Sequence, residues 1–117
     1  MAIANLVRLF LLTADSAYLD RAEQALRAFS GVMSRAPQSC PSLFVALDWF
    51  CHETLVRTTP EAIATLLRSY VPTAIVKPES DLPDGAIGLV CQGLSCQAPA
   101  LSIEQLCDQL IQSVTRV

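Results

Sequence analysis

Charge is scarce in this chain of 117 residues: lysine, arginine, aspartate and glutamate together make up 16% of it, against about 25% in an ordinary soluble domain. The basic residues are scattered singly and include one lysine, Lys77. No cationic stripe follows a phosphate backbone, so nucleic-acid binding is not expected. Runs such as Leu9-Phe10-Leu11-Leu12 fall far short of the ~20 apolar residues of a membrane span. The start, Met1-Ala2-Ile3-Ala4-Asn5, lacks the positive flank of a signal peptide. The sequence therefore reads as cytoplasmic, with no membrane partner. The four glycines form no phosphate-cradling loop. The single histidine, His52, has no serine or cysteine tied to it by motif, so no nucleophile–base pair can be argued.

What the chain does have is apolar surface. Hydrophobic residues reach 52%, the net charge is −3 and the mean hydropathy is +0.42. One domain's worth of chain can bury a core without metals or disulfides. The excess of apolar residues implies either an unusually large core or a surface meant for a partner.

The hydrophobic spacing divides the chain into a helical segment, 1–50, and a small α/β segment, 51–117, expected to make one compact unit. Ile3 to Leu12 is helical and polar only at Asn5 and Arg8, so most of its circumference should be buried. Thr13-Ala14-Asp15-Ser16 supplies a short turn and a new N-cap. Tyr18, Ala22, Ala25, Leu26, Phe29 and Met33 then form one stripe of a second helix. The pair is an αα-hairpin. Pro41 opens a third, short helix over Leu43 to Phe50.

After Trp49 the pattern changes. Thr54 to Thr58 is short and rich in β-branched residues, and predicts a strand. Thr59-Pro60-Glu61 starts a helix with Ile63, Leu66, Leu67 and Tyr70 on its apolar face. Thr73 to Lys77 is a second strand, parallel to the first if the connection is the usual crossover. Ala86 to Cys91 is a third strand, apolar without alternation, as in strands covered on both faces. The link from Pro78 to Gly85 is too short for a standard parallel crossover of a dozen residues, which leaves the direction of the third strand open. Ser102, with Gln105 three residues on, predicts a capping box. Ile103, Leu106, Cys107, Leu110, Ile111 and Val114 would be that helix's buried stripe. The expected fold class is α/β: a helical hairpin and a third helix, then a three-stranded, mostly parallel sheet with two helices.

Asn5-Leu6-Val7-Arg8-Leu9, Leu12-Thr13-Ala14-Asp15, Tyr18 and Ala22 resemble the last helical hairpin of the thioredoxin-domain-containing proteins of the spermatogenesis-associated type, the YyaL-like family. Val90-Cys91 with Cys96-Gln97-Ala98-Pro99 resembles the same family's C-terminal signature, and Tyr70-Val71-Pro72 sits where the family has an aromatic residue before a proline. The resemblance implies a C-terminal fragment of a larger protein. Its missing parts would be a thioredoxin-like domain and most of an (α/α)6 toroid similar to N-acylglucosamine 2-epimerases. It also implies a possible link to carbohydrate metabolism. No catalytic residue of those parts carries over. The implied partner is the rest of the parent polypeptide; in the isolated fragment the apolar helix faces would associate with each other or repack on the sheet. The link between the second and third strands departs from the family pattern in being shorter.

Five cysteines, Cys40, Cys51, Cys91, Cys96 and Cys107, make an odd number with no secretory signal, so a disulfide framework is a poor reading. Cys91 and Cys96 are the one candidate redox or ligand pair. Their spacing is not Cys-x-x-Cys, and no basic residue lies near in sequence to lower a thiol pKa. They read first as buried free thiols, with a mild redox pair or an adventitious disulfide as the alternative. Zinc would need two more ligands; Cys51 and His52, if extended, point to opposite faces, so no metal is expected. His52 reads as a strand-edge residue. Asp15, Asp20, Glu23 and Glu61 have ordinary places at helix starts or on solvated faces. The Thr58-Thr59-Pro60 turn could meet an anion but reads better as a cap. Trp49 and Phe50 suit a core or interface better than a sugar platform. No cofactor is expected. Taken alone, the chain is expected to be a non-catalytic module, and the alternative is a small thiol-redox or ligand-binding module acting through Cys91 and Cys96.

Overall fold

The computed structural model describes residues 2–69, 71–93 and 95–114. The chain is α/β and divides into two compact units, Met1–Glu53 and Thr54–Val117. The first is all helical. α1 (Ala2–Thr13) and α2 (Ser16–Ala28) form the hairpin, followed by α3 (Ser30–Arg35), a 3-10 turn (Pro37–Ser39) and α4 (Pro41–Cys51). α1 turns into α2 at Ala14, whose φ is +60° and whose N–H closes on the Phe10 carbonyl. The Asp15 carboxylate then accepts from the Ala17 N–H at 3.0 Å, satisfying one of the free donors at a helix start. Ile3, Ala4, Val7, Phe10 and Leu11 of α1 are buried, with Ala22, Leu26, Ala46 and Trp49 from α2 and α4.

The second helix is shorter than its stripe implies. It stops at Phe29, and α3 starts afresh. Ser30 donates its hydroxyl to the Arg27 carbonyl at 2.8 Å, a local bond that competes with regular helix. Of the six residues expected on one buried stripe, only Ala22 and Leu26 are buried, and Phe29 is 48% exposed.

The second unit is a four-stranded sheet in the order β2-β1-β3-β4, built from β1 (Thr54–Thr58), β2 (Ala74–Pro78), β3 (Gly88–Gln92) and β4 (Ser95–Cys96), with α5 (Pro60–Leu66) and α6 (Ile103–Ser113). β1 is parallel to β2 and antiparallel to β3, and β3 is antiparallel to β4. The sheet is therefore mixed, not mostly parallel, and has one strand more than expected. The short link explains the direction of β3. Pro78 and Gly88 both sit beside Thr58, so the loop crosses only β1, about 10 Å at two strand spacings. It need not retrace a strand.

Side chains alternate across this sheet. Val56, Val76 and Val90 share one face by register. Val56 and Val90 pack with Leu66 of α5 and with Ala100, Leu106 and Leu110 as the core, and Val76 lies against it. The register places Leu55, Arg57, Ile75, Lys77, Leu89 and Cys91 on the opposite face. The apolar faces of the two helices are narrower than the sequence implies. α5 ends at Leu66, so Leu67 becomes its C-cap and is 66% exposed. Ile111, expected in the buried stripe of α6, is 58% exposed, and Ser113 is buried instead. Tyr70 lies outside the described residues. The capping box forms with a variation: Ser102 Oγ accepts from the Gln105 N–H, while Gln105 Oε1 accepts from Leu101.

Gly88 is fixed by packing. A Cβ there would lie 2.7 and 2.8 Å from the two Leu106 methyls and 3.2 Å from the Arg57 carbonyl oxygen. Gly88→Ala is expected to cost about 1–3 kcal/mol as an overpacked core, and Leu106→Ala about 2–5 kcal/mol as a cavity. The double variant should lose clearly less than the sum, because the new methyl fills space that the leucine vacates. Urea unfolding of the four proteins checks this; strict additivity would show that the two positions are not in contact.

Candidate functional site

Cys91 and Cys96 are covalently joined: the structure contains a Cys91–Cys96 disulfide. Free buried thiols, the first reading, is thus corrected. The geometry follows from the hairpin. Gln92 faces Ser95 and Cys91 faces Cys96, leaving two residues at the turn. The first is Gly93, at φ +60°, a conformation that glycine adopts freely and that the twist of a two-residue hairpin requires. The Gln97 N–H then donates to the Val90 carbonyl at 2.9 Å. Hydrogen-bonded and non-hydrogen-bonded pairs alternate along an antiparallel ladder. The Val90–Gln97 bond therefore makes Cys91–Cys96 a non-hydrogen-bonded pair, where opposite side chains come closest. Their Cα atoms are 3.9 Å apart.

The two sulfurs lie in unlike surroundings. Cys91 is 5% exposed, at the last position but one of β3, whereas Cys96 is exposed on the two-residue edge strand. The return from the hairpin is tied down independently. Gln109 of α6 donates its Nε2 to the Ala98 carbonyl at 2.9 Å, and Ala100 exchanges two backbone hydrogen bonds with Ile87 and Gly88. Closing so short a loop contributes about 2 kcal/mol by the chain-entropy model.

The other candidates do not converge on one place. Cys51 ends α4 and is exposed. His52 is that helix's C-cap, not a strand-edge residue, with Nδ1 2.9 Å from Asp48 Oδ1. Among the described residues no three metal-capable side chains cluster. Burial lifts the Glu53 carboxyl above its ordinary value of 4.5, against the pull of its own backbone hydrogen bond and of His52. Cys40 is buried, its Sγ 3.5 Å from the Ala36 carbonyl. Cys107 is half-buried and lines a small cavity with Leu66, Val71 and Leu110. Trp49 is buried, with the Arg8 guanidinium 4.6 Å from its ring centroid; the indole face is occupied by a cation, which suits a structural role. Thr58 donates its hydroxyl to the Ile87 carbonyl, and Thr59 stands at the N-cap position of the seven-residue α5, but its hydroxyl makes no capping hydrogen bond. Glu23 pairs with Arg27 on the solvated side of α2, and Glu61 lies in the first turn of α5.

Two features escaped the sequence reading. β4 is too short to carry a periodicity, although Gly93 two residues after Cys91 was a turn signal. The Arg57–Glu79 ion pair joins β1 to the residue after β2, with Arg57 Nη2 2.9 Å from Glu79 Oε1 and Nε on the other oxygen. No local pattern announces a pair separated by a crossover.

Comparison with protein-family models, with curated proteins and with solved structures gave no match. The residues themselves therefore carry the functional reading.

The Arg57 hydrogen bond holds the Glu79 carboxyl below its ordinary value of 4.5. A depressed carboxylate adds stability above the unfolded-state pKa and loses it as pH falls through the folded one. Glu79→Gln is accordingly expected to be less stable than the parent at neutral pH by no more than about 1 kcal/mol, since the pair is partly solvated. The difference should fade as pH drops below about 4.5. Denaturation midpoints of both proteins across this range check it; a gap that stays constant with pH would remove the ion pair as its cause.

Proposed function

We propose that this chain is a non-catalytic docking module, the C-terminal part of a larger multidomain protein whose helical toroid it completes. One observation carries the reading: large apolar side chains stand exposed on the helices of the first unit. Leu9 and Leu12 of α1 are 39% and 44% exposed, Phe44 and Val45 of α4 are 40% and 53% exposed, and Phe29 between α2 and α3 is 48% exposed. Single exposed leucines are ordinary, but two phenylalanines and a valine on neighbouring helical segments are what a partner surface requires. Phe44 also lines an open, mainly apolar groove with Leu26, Ser30, Met33, Ser34 and Leu47. Helices of a parent toroid are the natural occupants, in line with the resemblance of α1 and α2 to a toroid's last hairpin. Any carbohydrate-related activity belongs, on this reading, to the parent protein.

A cytoplasmic setting is part of the proposal. Among the described residues no helix is long and apolar enough to cross a membrane. In a reducing compartment a disulfide such as Cys91–Cys96 persists only as a transient, exchanging bond.

The isolated chain is expected to self-associate as its concentration rises from micromolar to millimolar, with Phe44→Ser and Val45→Asp together restoring the monomer and removing the concentration dependence of the unfolding midpoint. Sedimentation velocity with parallel thermal unfolding reads both quantities. A parent chain that stays monomeric throughout the range would defeat the docking reading.

A further inference from the structure

We propose that the Cys91–Cys96 bridge is a thiol-exchange site, opened by an external dithiol that attacks Cys96. Cys91 is 5% exposed and Cys96 is exposed on the sheet edge, so Cys96 is the end of the bridge that an incoming thiolate meets first. Exchange needs that access, because the nucleophile must meet a disulfide sulfur directly.

The chemistry is closed. A thiolate of the dithiol attacks Cys96 Sγ and forms a mixed disulfide with it. The Cys91–Cys96 bond breaks, and its electron pair leaves on Cys91 Sγ, which takes a proton from water. The second thiol of the reductant then attacks its own sulfur in the mixed disulfide. Cys96 departs as a thiolate and is protonated. The protein gains two electrons and two protons, and the reductant ends as a cyclic disulfide. A monothiol does less well. Cys91, held in register opposite Cys96, re-attacks the mixed disulfide intramolecularly, with the advantage of high effective concentration. A dithiol removes the mixed disulfide by an intramolecular step of its own.

Three features make the opening local and reversible. β4 has two residues, paired to β3 at Gln92–Ser95 and at the bridged Cys91–Cys96, so the bridge closes a short hairpin and not a long ladder. The segment beyond it is anchored separately, through Gln97 to Val90, Gln109 to Ala98 and Ala100 to Gly88. The core of Val56, Val90, Leu106 and Leu110 lies on the other face of the sheet from Cys91. Within this unit the remaining thiol, Cys107, packs against that core face, so the sheet stands between it and the bridge and blocks internal reshuffling. The proposal does not rest on the docking reading: the exposed helices belong to the first unit and the bridge to the second.

Thiol counting on the intact chain tests it, with dithiothreitol and glutathione as the probes and far-UV circular dichroism as the monitor of fold. The oxidised protein should show three free thiols after denaturation, Cys40, Cys51 and Cys107. Dithiothreitol should add two while the helical signal is unchanged, and glutathione at equal thiol concentration should add markedly fewer. In the folded single variants, Cys96 in Cys91→Ser should react with a chromogenic disulfide reagent more than about tenfold faster than Cys91 in Cys96→Ser, in keeping with its access. Should either variant fail to fold, mass mapping of the glutathione adduct on the parent chain decides the same point, with the adduct expected on Cys96. The proposal is overturned if thiols appear only as the helical signal is lost, if glutathione opens the bridge as fully as dithiothreitol, if Cys91 is the faster or the adducted residue, or if the purified chain already titrates as five free thiols under oxidising conditions.

Discussion

The second unit depends on β1 being paired on both sides. Thr54 to Thr58 takes a parallel neighbour on one edge and an antiparallel neighbour on the other, and every other element is placed by reference to it. α5 is the crossover from β1 to β2. The loop after β2 spans β1 to reach β3, pinned by Glu79 donating its N–H to the Thr58 carbonyl and by Thr59 donating to Ile87. Val56, at the centre of the strand and fully buried, is where both helices meet the sheet. With a two-residue strand on one side and an edge ending in Lys77 and Pro78 on the other, the sheet offers little free edge for pairing with another chain. A charge and a missing donor are ordinary protections of such an edge.

The bridge adjoins that central pairing. The short loop sends β3 back antiparallel to β1, and beyond Gln92 the chain turns into the hairpin that sets Cys96 opposite Cys91. The disulfide is thus a consequence of the two-residue hairpin. It is placed where the sheet is thinnest, on a two-residue edge strand, and away from the core that holds the unit together. That position suits the exchange proposed for it, since the core contacts lie on the other face of the sheet.

Much of the element list was legible. Asp15 and Ser102 cap the helices they were expected to cap, Pro41 and Pro60 stand at the first helical positions, and the first two strands pair in parallel. These are local signals, read from a few neighbouring residues. The errors share a cause. The long stripe on α2 assumed one uninterrupted helix, and a serine-to-carbonyl bond at Ser30 broke it. The wide apolar faces of α5 and α6 assumed full burial, but a sheet face three strands wide covers only Leu66, Leu106, Leu110 and their nearest neighbours. His52 is not extended because α4 runs one residue past Phe50 and makes it the C-cap.

By itself, the sequence determined the helical and strand segments, their caps and the switch from helical to α/β grammar near Trp49, because each depends on contacts within a turn or two of chain. It also singled out Cys91 and Cys96. Only the tertiary structure decided that β3 runs antiparallel, that the two cysteines face each other at a non-hydrogen-bonded pair, and that Arg57 meets Glu79. The facing of the cysteines follows from the local hairpin; the other two outcomes depend on which strand lies beside β1, a choice made by the summed burial of Val56, Val90 and Leu106 across residues far apart in the chain. No local pattern contains that sum.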